Sequence, residues 1–205
     1  SYQPTFKFIC FKFFINFSIM FLGALFTIYI LRTLNMSNLI LGYCGASWWA
    51  GNIISSKYWG QFSKNNSNFY MLKITTLIIT ILPLPWILIY YLPITIQIYT
   101  TLFLSFSAGI IFAGFSLSTF NLVYEIVDKN DVVKFTSILR FSESIGILIS
   151  SITAGYIVDS ILVNQFLINV YFTPIQLSIT ISLVLRILSL IFLYRNEHLF
   201  IKTAN

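Results

Sequence analysis

Six times along its length the chain returns to an apolar stretch of about 20 residues, at about residues 8–31, 38–56, 71–92, 96–123, 135–158 and 173–194. Recurrence at that length is what most limits the fold. A helix rises about 1.5 Å per residue, so about 20 apolar residues cross the hydrocarbon core while every backbone N–H and C=O finds its partner inside the segment. Polar punctuation separates the stretches, at Arg32 to Asn38, Lys57 to Asn68, Tyr91 to Pro93, Glu125 to Lys134 and Asp159 to Tyr171. The expectation is an all-α, polytopic membrane protein: a single transmembrane domain over residues 1–205, built as a bundle of six transmembrane helices.

Composition agrees with lipid as the main solvent. Only 9% of the residues are charged and 58% are hydrophobic, against roughly 25% charged residues in soluble domains. Six crossings nearly exhaust 205 residues, leaving no room for a separate soluble catalytic or nucleic-acid-binding domain. The net charge of +6 comes from twelve Lys and Arg spread between apolar runs, never clustered as a nucleic-acid surface would require. Cys10 and Cys44 lie singly in apolar segments and read as small buried hydrophobes. Ser1 stands where a starter Met is expected, and no signal-peptide layout follows, so the chain reads as a fragment of a longer one.

The basic residues set an expected orientation. With the amino terminus in the cytoplasm, Lys7, Lys12, Lys57, Lys64, Lys73, Lys129, Lys134, Arg140, Arg195 and Lys202 fall on or near the inner side, and Arg32 alone falls outside. Both termini are then cytoplasmic, which requires an even number of crossings. Pro83 and Pro85 remove backbone donors from the third segment and predict a kink there, unless neighbouring groups serve the freed carbonyls.

Two stripes of small residues stand out. Ser142, Gly146, Ser150 and Ala154 recur every four residues and predict close packing of another helix on that face. Gly42, Gly45, Trp49, Asn52 and Ser56 make a more polar stripe that either packs or lines a cavity. Ionisable groups inside a membrane are costly and therefore informative. Glu143 lies three residues after Arg140 and predicts a local ion pair. Arg186 lies roughly 12 Å deep by helical rise; Ser178, Ser182 and Ser189 near its face offer it polar neighbours or a route for water, and it reads as a structural anchor or an anion-binding residue. Trp59, next to Lys57, reads as an interfacial aromatic. Asn16 and Asn121 read first as amides bonded between helices. The single histidine, His198, is in the polar tail, and no Ser/His/Asp group, metal-ligand spacing or Gly-rich phosphate loop accompanies the helices. The sequence thus predicts no enzyme, no cofactor and no metal.

Two segments carry a family resemblance. Tyr58-Trp59-Gly60-Gln61-Phe62-Ser63-Lys64-Asn65-Asn66-Ser67-Asn68 follows the second apolar stretch, and Gly60 and Phe62 fit the glycine and apolar positions of the G-x-L-a-D-R-x-G-R-R loop of the major facilitator superfamily. Lys64 stands where that loop has its acidic residue and Ser67 where it has its second glycine. Asn121 to Asp159 resembles the late fourth helix, acidic-basic loop and Gly-rich fifth helix of the same family's carboxy-terminal half. The resemblance implies a 3+3 inverted repeat facing a missing amino-terminal six-helix half, with a central cavity exposed alternately to either side. It implies that the first, second, fourth and fifth helices face that cavity, which makes Asn16, Trp49, Asn52, Asn121 and Glu143 the substrate-cavity candidates. Gly60 and Lys64 are the candidates for a cytoplasmic gating loop. On the same reading Arg186 belongs to a peripheral helix, which counts against it as a cavity residue. The expected function is secondary transport of a small solute, with or without a coupling ion, in a bacterial inner membrane. The alternative left open is a structural or assembly subunit of a membrane complex.

Overall fold

The computed structural model describes residues 2–163 and 174–201. Among the described residues it is helical throughout, with no strand. The helices are α1 (Tyr2–Gly23), α2 (Phe26–Ile28), α3 (Asn38–Asn65), α4 (Asn68–Ile81), α5 (Pro83–Ile89), α6 (Ile94–Ile126), α7 (Val132–Val163), α8 (Pro174–Arg195) and α9 (Glu197–Ile201). They assemble into six long rods: α1 with α2 and a π-helical turn at Tyr29–Thr33; α3; α4 with α5; α6; α7; and α8.

Local chemistry explains where the rods stop. The first ends as Asn35 enters the left-handed region at φ 51°, a conformation Asn tolerates, while the Met36 N–H reaches back 3.1 Å to the Ile30 carbonyl. Ser37 then caps α3 by accepting from the Ile40 N–H, and Ser67 caps α4 by accepting from the Tyr70 N–H at 3.2 Å. At the turn between α5 and α6, Gln97 Nε2 donates to the carbonyls of Tyr90 and Leu92.

Among the described residues five stretches are long and apolar enough to cross a membrane: Gln3–Thr33, Asn68–Ile89, Ile94–Ile126, Val132–Ser160 and Gln176–Arg195. The remaining rod, α3, is 28 residues long but too polar to join them, because Gly, Ser, Asn and Lys dilute its apolar content. α3 also runs on to Asn65, so most of the segment expected to form a gating loop is helical. Gly60 sits within the helix with open space where a Cβ would stand, and Lys64 is exposed in its last turn.

The rods pair selectively. α3 packs most extensively on α6 and α7 on α1; α4 packs on α6 and α8 on α1; and the α4–α5 rod packs on α8. The α3–α6 crossing is a backbone contact. A Cβ on Gly109 would lie 2.0 Å from the Trp48 carbonyl oxygen, and one on Gly51 2.2 Å from that of Phe106. No side chain fits there, so glycine is what lets the two helices meet. The α7–α1 crossing uses the predicted stripe: Gly146 approaches Phe13, Ser150 Oγ donates to the Phe17 carbonyl at 2.6 Å, and Ala154 is fully buried.

Candidate functional site

Lys12, expected among the charges at the inner surface, is instead buried with a relative exposure of 4%. Its Nζ lies 3.0 Å from Glu143 Oε1 and 4.4 Å from the centroid of the Phe115 ring. Glu143, also buried, takes Arg140 Nη1 on its other oxygen at 2.9 Å, while Arg140 stays largely exposed. The predicted i,i+3 pair is therefore one arm of a three-residue charge cluster whose second cation comes from α1. Separating Lys12 from Glu143 would leave a bare charge among apolar helices, so the pair locks α1 to α7. The signal for Lys12 was present in the sequence: it is a cation inside an apolar run, and Glu143 is the one acid inside another.

Asn16 sits one turn further along α1 and donates its amide to the Lys12 carbonyl at 2.9 Å, a bond within its own helix. Asn121 belongs to a separate cluster at the end of the bundle where α3 meets α4. Its Nδ2 donates to Ser63 Oγ at 3.0 Å and to Asn68 Oδ1 at 3.1 Å, Ser63 Oγ donates to Asn68 Oδ1, and Asn68 Nδ2 donates to Glu125 Oε1. This network ties α3, α4 and α6 together. Nearby, Trp59 packs its ring against Gly114 and donates Nε1 to the Ile110 carbonyl at 2.8 Å, which makes it a packing residue of α3 on α6.

Trp49 is exposed, stacked edge-on against Trp48 at 4.9 Å, and Asn52 is half-buried one turn on. Gly42, Gly45, Trp49 and Ser56 are all exposed, so the polar stripe of α3 does not pack; Cys44, Gly51 and Ser55 do. Gly45 and Trp49, both exposed, border a partly open cavity of about 300 Å³. Its wall is apolar and aromatic. Trp48 and Trp86 contribute indoles, Phe26 and Phe112 phenyl rings, and Leu22 an aliphatic side chain.

One charged side chain enters that wall. Arg186, from α8, is 4% exposed, and its Nη1 donates to the Ile79 carbonyl at 2.7 Å. Ile79 is four residues before Pro83, and Pro83 has no N–H to give it. Arg186 therefore serves the carbonyl that the proline freed, at the break between α4 and α5. At the far end of α5 the Tyr29 hydroxyl plays a similar part, donating to the Trp86 carbonyl at 2.7 Å. Arg186 Nε has no hydrogen-bond partner. The serines expected to attend Arg186 are engaged elsewhere in two cases: Ser182 Oγ donates to the Ser18 carbonyl and Ser189 Oγ to that of Leu185.

The structure thus divides the five cavity candidates among three places. Glu143 lies in the charge cluster with Asn16 one turn away on α1, Asn121 in the α3–α4–α6 network, and Trp49 at the partly open cavity with Asn52 following it on α3. Lys12 and Arg186, which are not among the five cavity candidates, are the two buried basic side chains of the described residues, one at the charge cluster and one at the cavity. Among the described residues no group of three or more His, Cys, Asp or Glu is placed to hold a metal ion. No protein-family model, curated protein or solved structure matches this chain.

Proposed function

We propose that the chain is one six-helix half of a secondary transporter of the major facilitator type, carrying a small solute by the rocking of two bundles. The observation that supports this most is the pairing of the rods. Exchange the first three rods for the last three and every principal contact becomes another: second–fourth becomes fifth–first, third–fourth becomes sixth–first, and third–sixth becomes itself. That invariance is what a 3+3 inverted repeat requires. The two closest crossings, second on fourth and fifth on first, both rest on small residues, as alternate members of such a repeat would. On this reading both termini lie in the cytoplasm, and the face that carries Trp49 and Asn52 looks across an aqueous path toward a second six-helix bundle.

Chemical labelling tests the aqueous path. With Cys10 and Cys44 replaced by alanine, single cysteines at Trp49 and Asn52 are expected to react in sealed vesicles with a charged, membrane-impermeant maleimide. Labelling from each side in turn, shifted by a transported solute, is the expected pattern for alternating access. Reaction only with a lipid-soluble maleimide would place the face against lipid and return the chain to a structural role in a membrane complex.

A further inference from the structure

Arg186 is a cation inside a membrane-spanning helix without an anion. The chain has six acidic side chains, and none of the three ion pairs among the described residues includes Arg186. Glu143 is held by Lys12 and Arg140, Glu197 by Lys73, and Glu125 accepts from Asn68. A guanidinium carries five N–H donors. Here one of its nitrogens serves the Ile79 carbonyl and another, Nε, is buried with no partner. A structural anchor for the Pro83 break needs only a single donor, which a neutral side chain supplies as well; Tyr29 does so for Trp86 on the same rod. Arg186 lines a partly open cavity of about 300 Å³, at the small end of the size range of ligand pockets.

From this geometry we infer that the cavity beside Arg186 is a binding site for an amphiphilic organic monoanion: an apolar or aromatic body with one carboxylate or similar acid group, which sits against Arg186. The indoles of Trp48, Trp49 and Trp86 line the side that takes the apolar body, and the acid group supplies the missing counter-charge to Arg186. The site is formed inside one bundle by rods one, two, three, four and six. It therefore stands whether or not the bundle transports.

The cavity holds three of the chain's four tryptophans while Trp59 packs at Gly114, so intrinsic fluorescence reports on it. The protein in phosphatidylcholine nanodiscs is titrated with 4-bromobenzoate, a heavy-atom quencher, and with the neutral 4-bromobenzamide. Saturable quenching is expected for the acid, with the amide weaker by about tenfold or more, the usual loss when a charged hydrogen bond is replaced by a neutral one. Arg186→Gln is expected to erase that preference. Because this change also removes a neutral-backbone contact at Ile79, a second variant keeps Arg186 and fills the space: a Cβ on Gly45 meets nothing within 4 Å, so Gly45→Leu is accommodated and is expected to abolish saturable quenching. Adding phosphatidylglycerol separates two sources of the anion. Competition with 4-bromobenzoate assigns the site to an acidic lipid from the bilayer, and undiminished binding assigns it to a water-borne acid. Equal quenching by acid and amide, or quenching that persists in Gly45→Leu, overturns the inference.

Discussion

Two buried cations are handled in opposite ways by the same bundle. Lys12 on the first rod meets a carboxylate at 3.0 Å and an aromatic face, and its charge is balanced within the chain. Arg186 on the sixth meets only a carbonyl oxygen, at 2.7 Å, on the rim of a cavity. Both residues look alike in the sequence, a single basic residue in an apolar run. The difference teaches that two cations alike in sequence are held differently, one by a carboxylate fixed in the fold and one by a backbone carbonyl beside a cavity.

The largest effect is expected where the balance is complete. Glu143→Gln leaves Lys12 buried without an anion and should cost about 3–5 kcal/mol of stability, read as a fall in thermal or denaturant midpoint in detergent micelles. The double variant Lys12→Met with Glu143→Gln removes both charges and should recover most of that loss. If the double variant is as unstable as the single one, charge balance is not what holds α1 to α7.

A smaller effect is expected at the other cation. Arg186→Gln should cost about 1.5–3 kcal/mol through the Ile79 carbonyl, and Pro83→Ala should soften the loss, because alanine restores an N–H to that carbonyl. A double-mutant cycle measures the coupling directly. Strict additivity would mean that Arg186 is not there for the proline break. The smallest effect is expected from Tyr29→Phe, at about 1 kcal/mol for one neutral hydrogen bond to the Trp86 carbonyl. A loss as large as that of Arg186→Gln would show that the cation contributes nothing beyond a neutral donor, and would blunt the contrast between the two carbonyl partners.

The same contrast separates what was legible in the sequence from what was not. Helical rods at the six apolar stretches follow from backbone chemistry and length, and the structure places Ser37, Ser67 and Pro93 at the N-termini of α3, α4 and α6. The Ser142 to Ala154 stripe foretold its own packing because four-residue spacing puts small side chains on one face of any helix. Five of the rods are long and apolar enough to cross a membrane, while α3 is polar enough that its place is set by Gly51 and Gly109 meeting backbone to backbone. No one-dimensional pattern singles out that pair of glycines from the others in the same helices. The loop reading of the segment after residue 56 gave way to helix because no proline interrupts it before Ser67 caps the next one.

By itself, then, the sequence determined the solvent, the helices and their approximate ends, and the local Arg140–Glu143 pair, since each depends on residues within a few positions of one another. Tertiary structure decided the rest. Lys12 and Glu143 are 131 positions apart by subtraction of their numbers, and Arg186 and Ile79 107 apart. Which cation finds a carboxylate and which finds a cavity is a matter of how the rods are arranged. A hydrogen bond or ion pair acts over a few ångströms, and only packing brings such distant parts of the chain that close.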